Sequence, residues 1–452
     1  MRFSLLRTLG YFVGGLWTAR GGRERIEARQ LRRLRRLVEK ARQDSPLFRK
    51  LYSDLRESSL IELHEIPVTR KPDLMRDFDD WLTIRYLPLT RAREHMSAIN
   101  KLGVPIDDVA VFRTSGTSGE PAVIVWPSAV LEYLYGITLA RLDRNQLRIT
   151  NSRKAGLNVM ITGGNGHFAG VGIIRLMNHL VPWLAKRLTF IEAGQPIEKI
   201  VEQLNALDGI ASILTYPSVL SILVREKEAG RQHIEPALIK VSGETLTDDL
   251  CQKARRAFPS LQHNIINAYG CTECLMPSLE CSHGRHHVHE DWVILEAVDE
   301  NMQPVPDGSL SATALLTVLA NDVQPIIRYD IGDRLRFYPD PCPCGSPFRS
   351  FQVEGRQATL LHVEGVALSP LVFDLEHEQA RRIQLVQTAG KEFEVRIELE
   401  EGAVSAVVLE QVIQSVERVF QENNLPDVEV RESQSSPQLT VSGKFHEVLP
   451  LT

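Results

Sequence analysis

The chain has 452 residues, of which 43% are hydrophobic and 24% charged, and its net charge is −5. These proportions fit a globular protein of two or three domains and exclude global disorder, a collagen-like repeat or a heptad fibre. Lys and Arg number 52 against 57 Asp and Glu, which leaves no footprint for nucleic acid, and six Cys are too few for a disulfide scaffold. A reducing, cytoplasmic setting follows as the expectation.

In chain order, residues 3–17 (FSLLRTLGYFVGGLW) are mostly apolar but interrupted by Arg7 and too short to span a bilayer. Residues 20–43 are strongly basic, with Ile26, Leu31, Leu34 and Leu37 at helical spacing. The stretch 1–43 reads as an amphipathic surface helix docked on the body. A weak peripheral membrane contact, an apolar plug beside basic residues, is the alternative.

After a first hundred residues of helices broken by Pro and Gly, short apolar runs alternate with amphipathic segments. The runs are VAVFRT (109–114), LNVMITGG (157–164), RLTFIEAG (187–194), GIASILTY (209–216), ALIKVSGE (237–244) and HNIINAYG (263–270), with helix candidates at 196–207 and 217–230. This alternation predicts an α/β sheet with much parallel pairing, whose ligands collect where strands end. Residues 292–338 read as strands and turns, 341–352 as a Pro- and Cys-rich loop, and 391–432 as strand, helix and strand. A boundary near Glu354 separates a large domain over 44–354 from a small α+β domain over 355–452.

The sharpest local signal is Thr114-Ser115-Gly116-Thr117-Ser118-Gly119-Glu120-Pro121, directly after a predicted strand. Hydroxyls and glycine amides packed into one loop form a concave array of donors that suits a phosphate tail. The pattern GxxxxGK[ST] is absent, so this is not a Walker loop. Alone, such a loop is more often a flexible turn. It is followed in order by Tyr269-Gly270-Cys271-Thr272-Glu273, Tyr329-Asp330-Ile331-Gly332-Asp333-Arg334, Gly355-Arg356 and Ser442-Gly443-Lys444.

In that order the motifs resemble those of the adenylate-forming superfamily of acyl-CoA synthetases and adenylation domains, over residues 30–452. Within it the likeness is to phenylacetate–CoA ligase and the related deazaflavin-coenzyme synthetases. The resemblance implies an α/β, acetyl-CoA synthetase-like large domain followed by a small, mobile C-terminal α+β domain. It implies that Ser115, Gly116, Thr117, Ser118 and Gly119 cradle the ATP β/γ-phosphates, with Gly243-Glu244 beside the adenine and Tyr269 stacked on it. Thr272 falls near the α-phosphate, Glu273 on Mg²⁺, Asp333 on the ribose with Arg356 nearby, and Lys444 is the C-terminal lysine used in adenylation. The chemistry of these types agrees. Mg²⁺ takes hard oxygen ligands, and vicinal ribose hydroxyls are donors that suit an ionised acceptor. A carboxylate attacking the α-phosphate brings two anions together, so a cation there strengthens in the transition state.

Two positions depart from the family pattern. Ala122 follows Pro121 where the phosphate loop commonly carries Lys, and Ala358 stands where Asp or Lys usually forms the hinge. A Gly-rich loop at 162–170 places Gly164, His167 and Phe168 beside the acyl pocket by resemblance, with a core or turn role for His167 as the alternative.

Cys342 and Cys344 stand one residue apart, and Cys281 is followed by His283, His286 and His287. Three Cys and one His make a tetrahedral Zn²⁺ set, with free thiols as the other reading. Some relatives carry a similar zinc knot, and alignment on His289-Glu290-Asp291 points to His287, with His283 and His286 as alternatives. Such a site is structural. Cys271 and Cys274 read as packing residues.

The sequence thus predicts an ATP- and Mg²⁺-dependent ligase that activates a carboxylic acid as acyl-AMP, releases pyrophosphate and passes the acyl group to coenzyme A. A phenolic or amine acceptor is an alternative within enzymes. A zinc-stabilised nucleotide-binding protein without turnover is the alternative outside them.

Overall fold

Helical periodicity in the first hundred residues folds into α1 (Leu5–Arg20), α2 (Gly22–Asp44), α3 (Pro46–Leu51), α4 (Lys71–Arg76), α5 (Phe78–Trp81) and α6 (Leu89–Ser97). The breaks are chemical. Gly22 adopts φ +68° between α1 and α2, and Ser45 caps α3 by accepting from the Phe48 amide, with Pro46 in its first turn. The structure, a computed structural model, describes residues 3–55, 62–114, 121–142, 156–163, 167–182, 186–261, 264–356, 359–440 and 444–451, less 369, 374, 376, 378 and 401.

β1 (Val109–Arg113) and β2 (Val123–Pro127) pair antiparallel, and α7 (Val130–Arg141) follows. The run at 109–114 was expected in the parallel sheet. It forms a hairpin instead, because residues 114–122 are too few for the crossover that parallel pairing requires.

The parallel sheet is built from β3 (Leu157–Thr162), α8 (Ala169–Leu180), β4 (Leu188–Glu192), α9 (Ile197–Asn205), β5 (Ile210–Thr215), α10 (Pro217–Glu228), β6 (Leu238–Ser242), α11 (Asp248–Ala257) and β7 (Ile265–Ala268). The strands lie in the order β4-β3-β5-β6-β7, all parallel. One face buries Val159, Ile213, Ile239 and Ile265 against α10 and α11 through Leu220, Leu223, Leu250 and Ala254. The other carries Leu238 and Ile266, which pack with Leu139 and Leu142 at the end of α7.

Short antiparallel strands follow: β8 (Ser278–Glu280), β9 (His286–Val288), β10 (Val293–Val298), β11 (Thr313–Val318), β12 (Tyr329–Asp330), β13 (Asp333–Phe337) and β14 (Ser350–Arg356). They form the sheets β10-β11-β12 and β13-β14-β9-β8. One continuous core joins them to the hairpin, α7 and the N-terminal helices.

The chain divides into two compact units, Met1–Glu354 and Gly355–Thr452. The second contains β15 (Leu361–Val363), β16 (Val366–Leu368), β17 (Ala380–Gln387), β18 (Glu392–Leu399), α12 (Ser405–Glu422), β19 (Glu429–Glu432) and β20 (Val448–Leu449). Its main sheet runs β19-β18-β17-β20. Val408, Val412, Val416 and Phe420 recur along α12 at intervals of four and bury against Ile383, Leu385, Phe393 and Val395.

α2 turns Ile26, Leu34, Leu37, Val38 and Ala41 inward, but Leu31 lies on its exposed side, against the expectation that all four periodic residues bury. α1 meets α7 through small residues. A Cβ on Gly136 would come within 2.4 Å of the Tyr11 Cβ and 2.6 Å of the Thr8 carbonyl oxygen, whereas Gly10 has open space. Gly136→Ala should therefore destabilise the protein by about 1 kcal/mol or more, because overpacking against backbone outweighs the gain in helix propensity. Gly10→Ala should stabilise it by about 0.5–1 kcal/mol. Urea unfolding of the two variants checks this; shifts of the same sign would show that α1 and α7 are not closely packed.

Candidate functional site

In a parallel sheet of order β4-β3-β5-β6-β7, the chain leaves β3 and β5 in opposite directions, which opens a crevice at their carboxyl ends. Across it the Gly163 amide donates to the Tyr216 hydroxyl at 3.3 Å, and burial pushes that phenol up to about 12. Tyr216 was not singled out from the sequence; its position as the last residue before the Pro217 helix start was the available signal.

The next two strand ends carry the expected motifs. After β6, Gly243 takes φ +89°, a conformation open to glycine, and turns the chain back over the edge. Glu244 accepts from the Ser218 amide at 2.9 Å and from its hydroxyl at 3.1 Å, so its carboxylate sits on the first turn of α10. After β7, Tyr269-Gly270-Cys271-Thr272-Glu273 forms a tight turn. The Cys271 carbonyl accepts from the Cys274 and Leu275 amides, and a Cβ on Gly270 would meet the Leu275 carbonyl oxygen at 2.6 Å. Cys274 is fully buried, and burial raises the thiols of Cys271 and Cys274, as suits packing residues. The Thr272 carbonyl accepts from Trp126 Nε1 at 3.3 Å, which fastens the turn to β2.

The two acidic motifs hold each other. The Tyr269 hydroxyl donates to Asp333 Oδ2 at 2.5 Å, and the Tyr329 hydroxyl donates to Glu273 Oε1 at 3.2 Å. Each motif thus supplies a tyrosine to the carboxylate of the other. Burial, reinforced by Glu273, raises the Tyr329 phenol far above its usual range, so it remains a donor. Asp330 shapes the second turn by accepting from Thr313 Oγ1 at 2.6 Å and from the Gly332 amide at 3.1 Å. The Tyr269 ring packs edge-on against Phe351 and His286.

The loop carrying Ser115, Gly116, Thr117, Ser118 and Gly119 lies outside the described residues, as do Gly164, Ala358, Ser442 and Gly443. The foot of that loop is described. Thr114 and Ala122 close it with two hydrogen bonds, Ala122 N to Thr114 Oγ1 at 2.9 Å and Thr114 N to the Ala122 carbonyl at 3.0 Å. Ala122 is fully buried there. Arg113 immediately precedes the loop, with its guanidinium 4.6 Å over the Phe168 ring and its amide bonded to the His167 carbonyl at 2.8 Å. Arg113 at the foot of that loop and His167 after β3 therefore touch. Arg113 is a cation beside the loop, on its N-terminal side, that was not singled out from the sequence.

His167 is buried among other groups. Its Nε2 lies 3.4 Å from the Ala98 carbonyl and its ring packs edge-on against His95, so it faces the α6 side of the fold. Burial lowers its pKa.

Cys281, His287, Cys342 and Cys344 converge with their ligand atoms within 4.8 Å of one another. The β8–β9 hairpin presents the first two, and the connection between β13 and β14 brings the other pair, because β14 pairs with β9 at Ser350 and His287. Cys281 Sγ lies 3.6 Å from Cys342 Sγ, and Cys344 Sγ 3.3 Å from His287 Nε2. Thiolates about 2.3 Å from one tetrahedral ion are roughly 3.8 Å apart, so the cluster fits a Zn²⁺. His287 Nδ1 lies 3.0 Å from the Phe348 carbonyl, a bond that leaves Nε2 as the ligand atom. Burial would raise the Cys281 thiol, but hydrogen bonds led by His287 bring it down to about 6. His283 is exposed beside Ser282, and His286 is buried against Phe351, so neither alternative imidazole joins the cluster.

In the second unit, Lys444 is held by its amide on Thr440 Oγ1 at 3.1 Å, while its carbonyl accepts from the Thr440 amide at 2.8 Å. Burial, then the charges of Lys444 and Arg356, lower the His446 imidazole to about 4. Arg356 and Lys444, far apart in sequence, thus act on one neighbourhood of that unit.

No family model matches the chain. It is 24% identical over 368 residues to the phenylacetate–coenzyme A ligase of Thermus thermophilus, covering 77% of this chain and 74% of that protein. Its fold superposes on 2-hydroxyisobutyryl-CoA ligase in its postadenylation state with 2-HIB-AMP, at a TM-score of 0.69 and 19% identity over 94% of this chain and 90% of that one. The same ligase with 2-HIB-AMP and CoA in its thioesterification state gives a TM-score of 0.55 at 18% identity, again over 94% and 90%. The chain is thus similar in sequence to a phenylacetate–coenzyme A ligase and shares the α/β fold of a solved adenylate-forming ligase.

If the cluster holds metal, protein purified without chelators contains about one Zn²⁺ per chain, and Cys342→Ser loses both the metal and several degrees of thermal stability. Metal analysis and thermal unfolding test this, and zinc-free wild-type protein would leave the four side chains as ordinary thiols and imidazole.

Proposed function

We propose that this chain activates a carboxylic acid with ATP as an acyl-adenylate and then transfers the acyl group to coenzyme A. The observation that carries this is the tyrosine–carboxylate exchange that ties the motif of Glu273, at the end of the parallel sheet, to the motif of Asp333. The named relatives support the same chemistry: one is a coenzyme A ligase, and the other is seen with an acyl-AMP and with CoA.

Asp333 is assigned to the ribose. An ionised carboxylate accepts several hydrogen bonds, so its bond from Tyr269 occupies only part of its capacity. Tyr269 is assigned to the adenine, its ring fixed from behind by Phe351 and His286. Thr272 stands at the α-phosphate. Gly243 lets the backbone pass close to the base, while Glu244 anchors that turn to α10. Residues 115–119 are assigned to the β- and γ-phosphates, with Arg113 supplying positive charge at the foot of their loop. Glu273 would hold Mg²⁺, which offsets phosphate charge when bound. Cys281, His287, Cys342 and Cys344 would hold Zn²⁺ as a structural clip.

In the first half-reaction a carboxylate oxygen attacks the α-phosphorus, the acyl O–P bond forms, and the bond to the bridging oxygen breaks to release pyrophosphate. In the second, the thiolate of coenzyme A attacks the acyl carbon and AMP leaves with the oxygen it gained. The large domain, over 44–354, is assigned to the nucleotide and acid, and 355–452 is the mobile domain that supplies Lys444 to the first half-reaction. The Lys444 ammonium matters most when two anions crowd together, an arrangement reached in the transition state and not in bound ATP.

Lys444→Ala should therefore slow acid-dependent pyrophosphate exchange by about a hundredfold or more while leaving ATP affinity unchanged. Thioester formation from synthetic acyl-AMP should survive. Asp333→Asn should weaken ATP binding by about 1.5–3 kcal/mol, since it removes the charge but keeps an acceptor for Tyr269. Equal loss of both half-reactions in the lysine variant, or unchanged calorimetric affinity in the aspartate variant, would overturn the respective assignment.

A further inference from the structure

α1 is built inside out. The side that meets α7 presents Thr8, Tyr11 and Gly15, and the buried residues of the helix are Gly15 and Thr18. Three of its leucines point the other way. Leu5, Leu6, Leu9, Val13 and Trp17 are between 52% and 83% exposed, and their spacing places them on one side of the helix. A helix that merely docks on a body buries its large apolar side chains and exposes its polar ones. Here the arrangement is reversed, and five large apolar side chains form a continuous outer stripe.

The charge around the stripe is one-sided. α1 contains Arg7 and Arg20, both exposed, and no acidic residue. α2 carries nine Lys and Arg against four Asp and Glu, in a chain whose overall charge is −5. Arg25 lies 4.0 Å over the Trp17 ring and donates to the Trp17 carbonyl at 2.9 Å, which sets a guanidinium against the indole at the end of the stripe. Arg29 donates to the Gly14 carbonyl at 2.9 Å and to Thr18 Oγ1, and so fixes α1 to α2. An apolar row, a Trp at its end and a basic surround are what an interfacial helix needs to lie among lipid headgroups and acyl chains. Among the described residues no helix is long and apolar enough to cross a membrane, so the contact is one of lying on the surface.

We propose that the outer face of α1 docks the protein on an anionic lipid surface, with Leu5, Leu6, Leu9, Val13 and Trp17 entering the interface and Arg20 and Arg25 facing the headgroups. This does not rest on the adenylation reading, because none of these residues belongs to the nucleotide site.

The test is flotation of the full-length protein with phosphatidylcholine vesicles, with and without phosphatidylserine. Wild-type protein is expected to float with the anionic vesicles and to be released by salt. Replacing Leu5, Leu9 and Trp17 together by Ser should weaken binding on the order of tenfold or more. Arg20→Glu should weaken binding to anionic vesicles by about fivefold or more and leave neutral ones unaffected. The thermal unfolding midpoint should stay at the wild-type value in both, since the side chains are exposed. Wild-type protein that stays at the bottom of the gradient at low salt, or a Ser variant that floats as well as wild type, would overturn the proposal. So would a concentration-dependent dimer, lost in the Ser variant, in protein that ignores lipid.

Discussion

The edge of the sheet that carries the motifs depends on one reciprocal contact. The Tyr269 hydroxyl is bonded to Asp333, and the Tyr329 hydroxyl to Glu273. The first motif ends a strand of the parallel sheet, and the second joins the antiparallel strands that follow. A hydrogen bond to a charged acceptor contributes about 1.5–3 kcal/mol, and a buried carboxylate left without its donor costs more than the bond is worth. The two acids can therefore be buried and held in place only while the two sheets keep their register. Trp126 adds a third attachment by donating to the Thr272 carbonyl, which ties the β1–β2 hairpin to the same turn.

A second line of support runs through β9. Successive residues of a strand face opposite sides, so His287 points to the three thiols while His286 packs against Phe351 and the Tyr269 ring. The Cys/His cluster and the aromatic wall behind Tyr269 are thus two faces of one short strand. β9 has three residues, and without a clip so short an element has little to hold its register. Fixing His287 fixes His286, and His286 supports the ring assigned to adenine. The cluster's position is explained by this geometry without any catalytic role for it.

Much of this was legible in the sequence. Five of the six apolar runs became the parallel strands, and the periodic valines of α12 became the core of the second unit. What escaped has physical causes. β2, with the run VIVWP directly after the loop, was not among the runs singled out. β17 was missed because Arg381, Arg382, Gln384 and Gln387 interrupt its apolar residues. His287, set apart by resemblance, is the imidazole that meets the thiols, while local spacing alone favoured none of the three. The reciprocal tyrosine bonds could not be read from one chain order, since they join residues more than fifty positions apart. Tyr216 is a functional candidate for the same reason, since only folding sets it beside the crevice, whereas Arg113 adjoins the loop in sequence.

The central claim is that an oxygen of the acid becomes bonded to the α-phosphorus of ATP, and it can be followed directly. A carboxylic acid labelled with ¹⁸O in both carboxylate oxygens, incubated with ATP, coenzyme A and the protein, should yield AMP carrying one labelled oxygen, with pyrophosphate unlabelled. Phosphorus NMR or mass spectrometry of the nucleotide reads this outcome. Label appearing in inorganic phosphate alongside ADP would mean attack at the γ-phosphorus and would contradict the account.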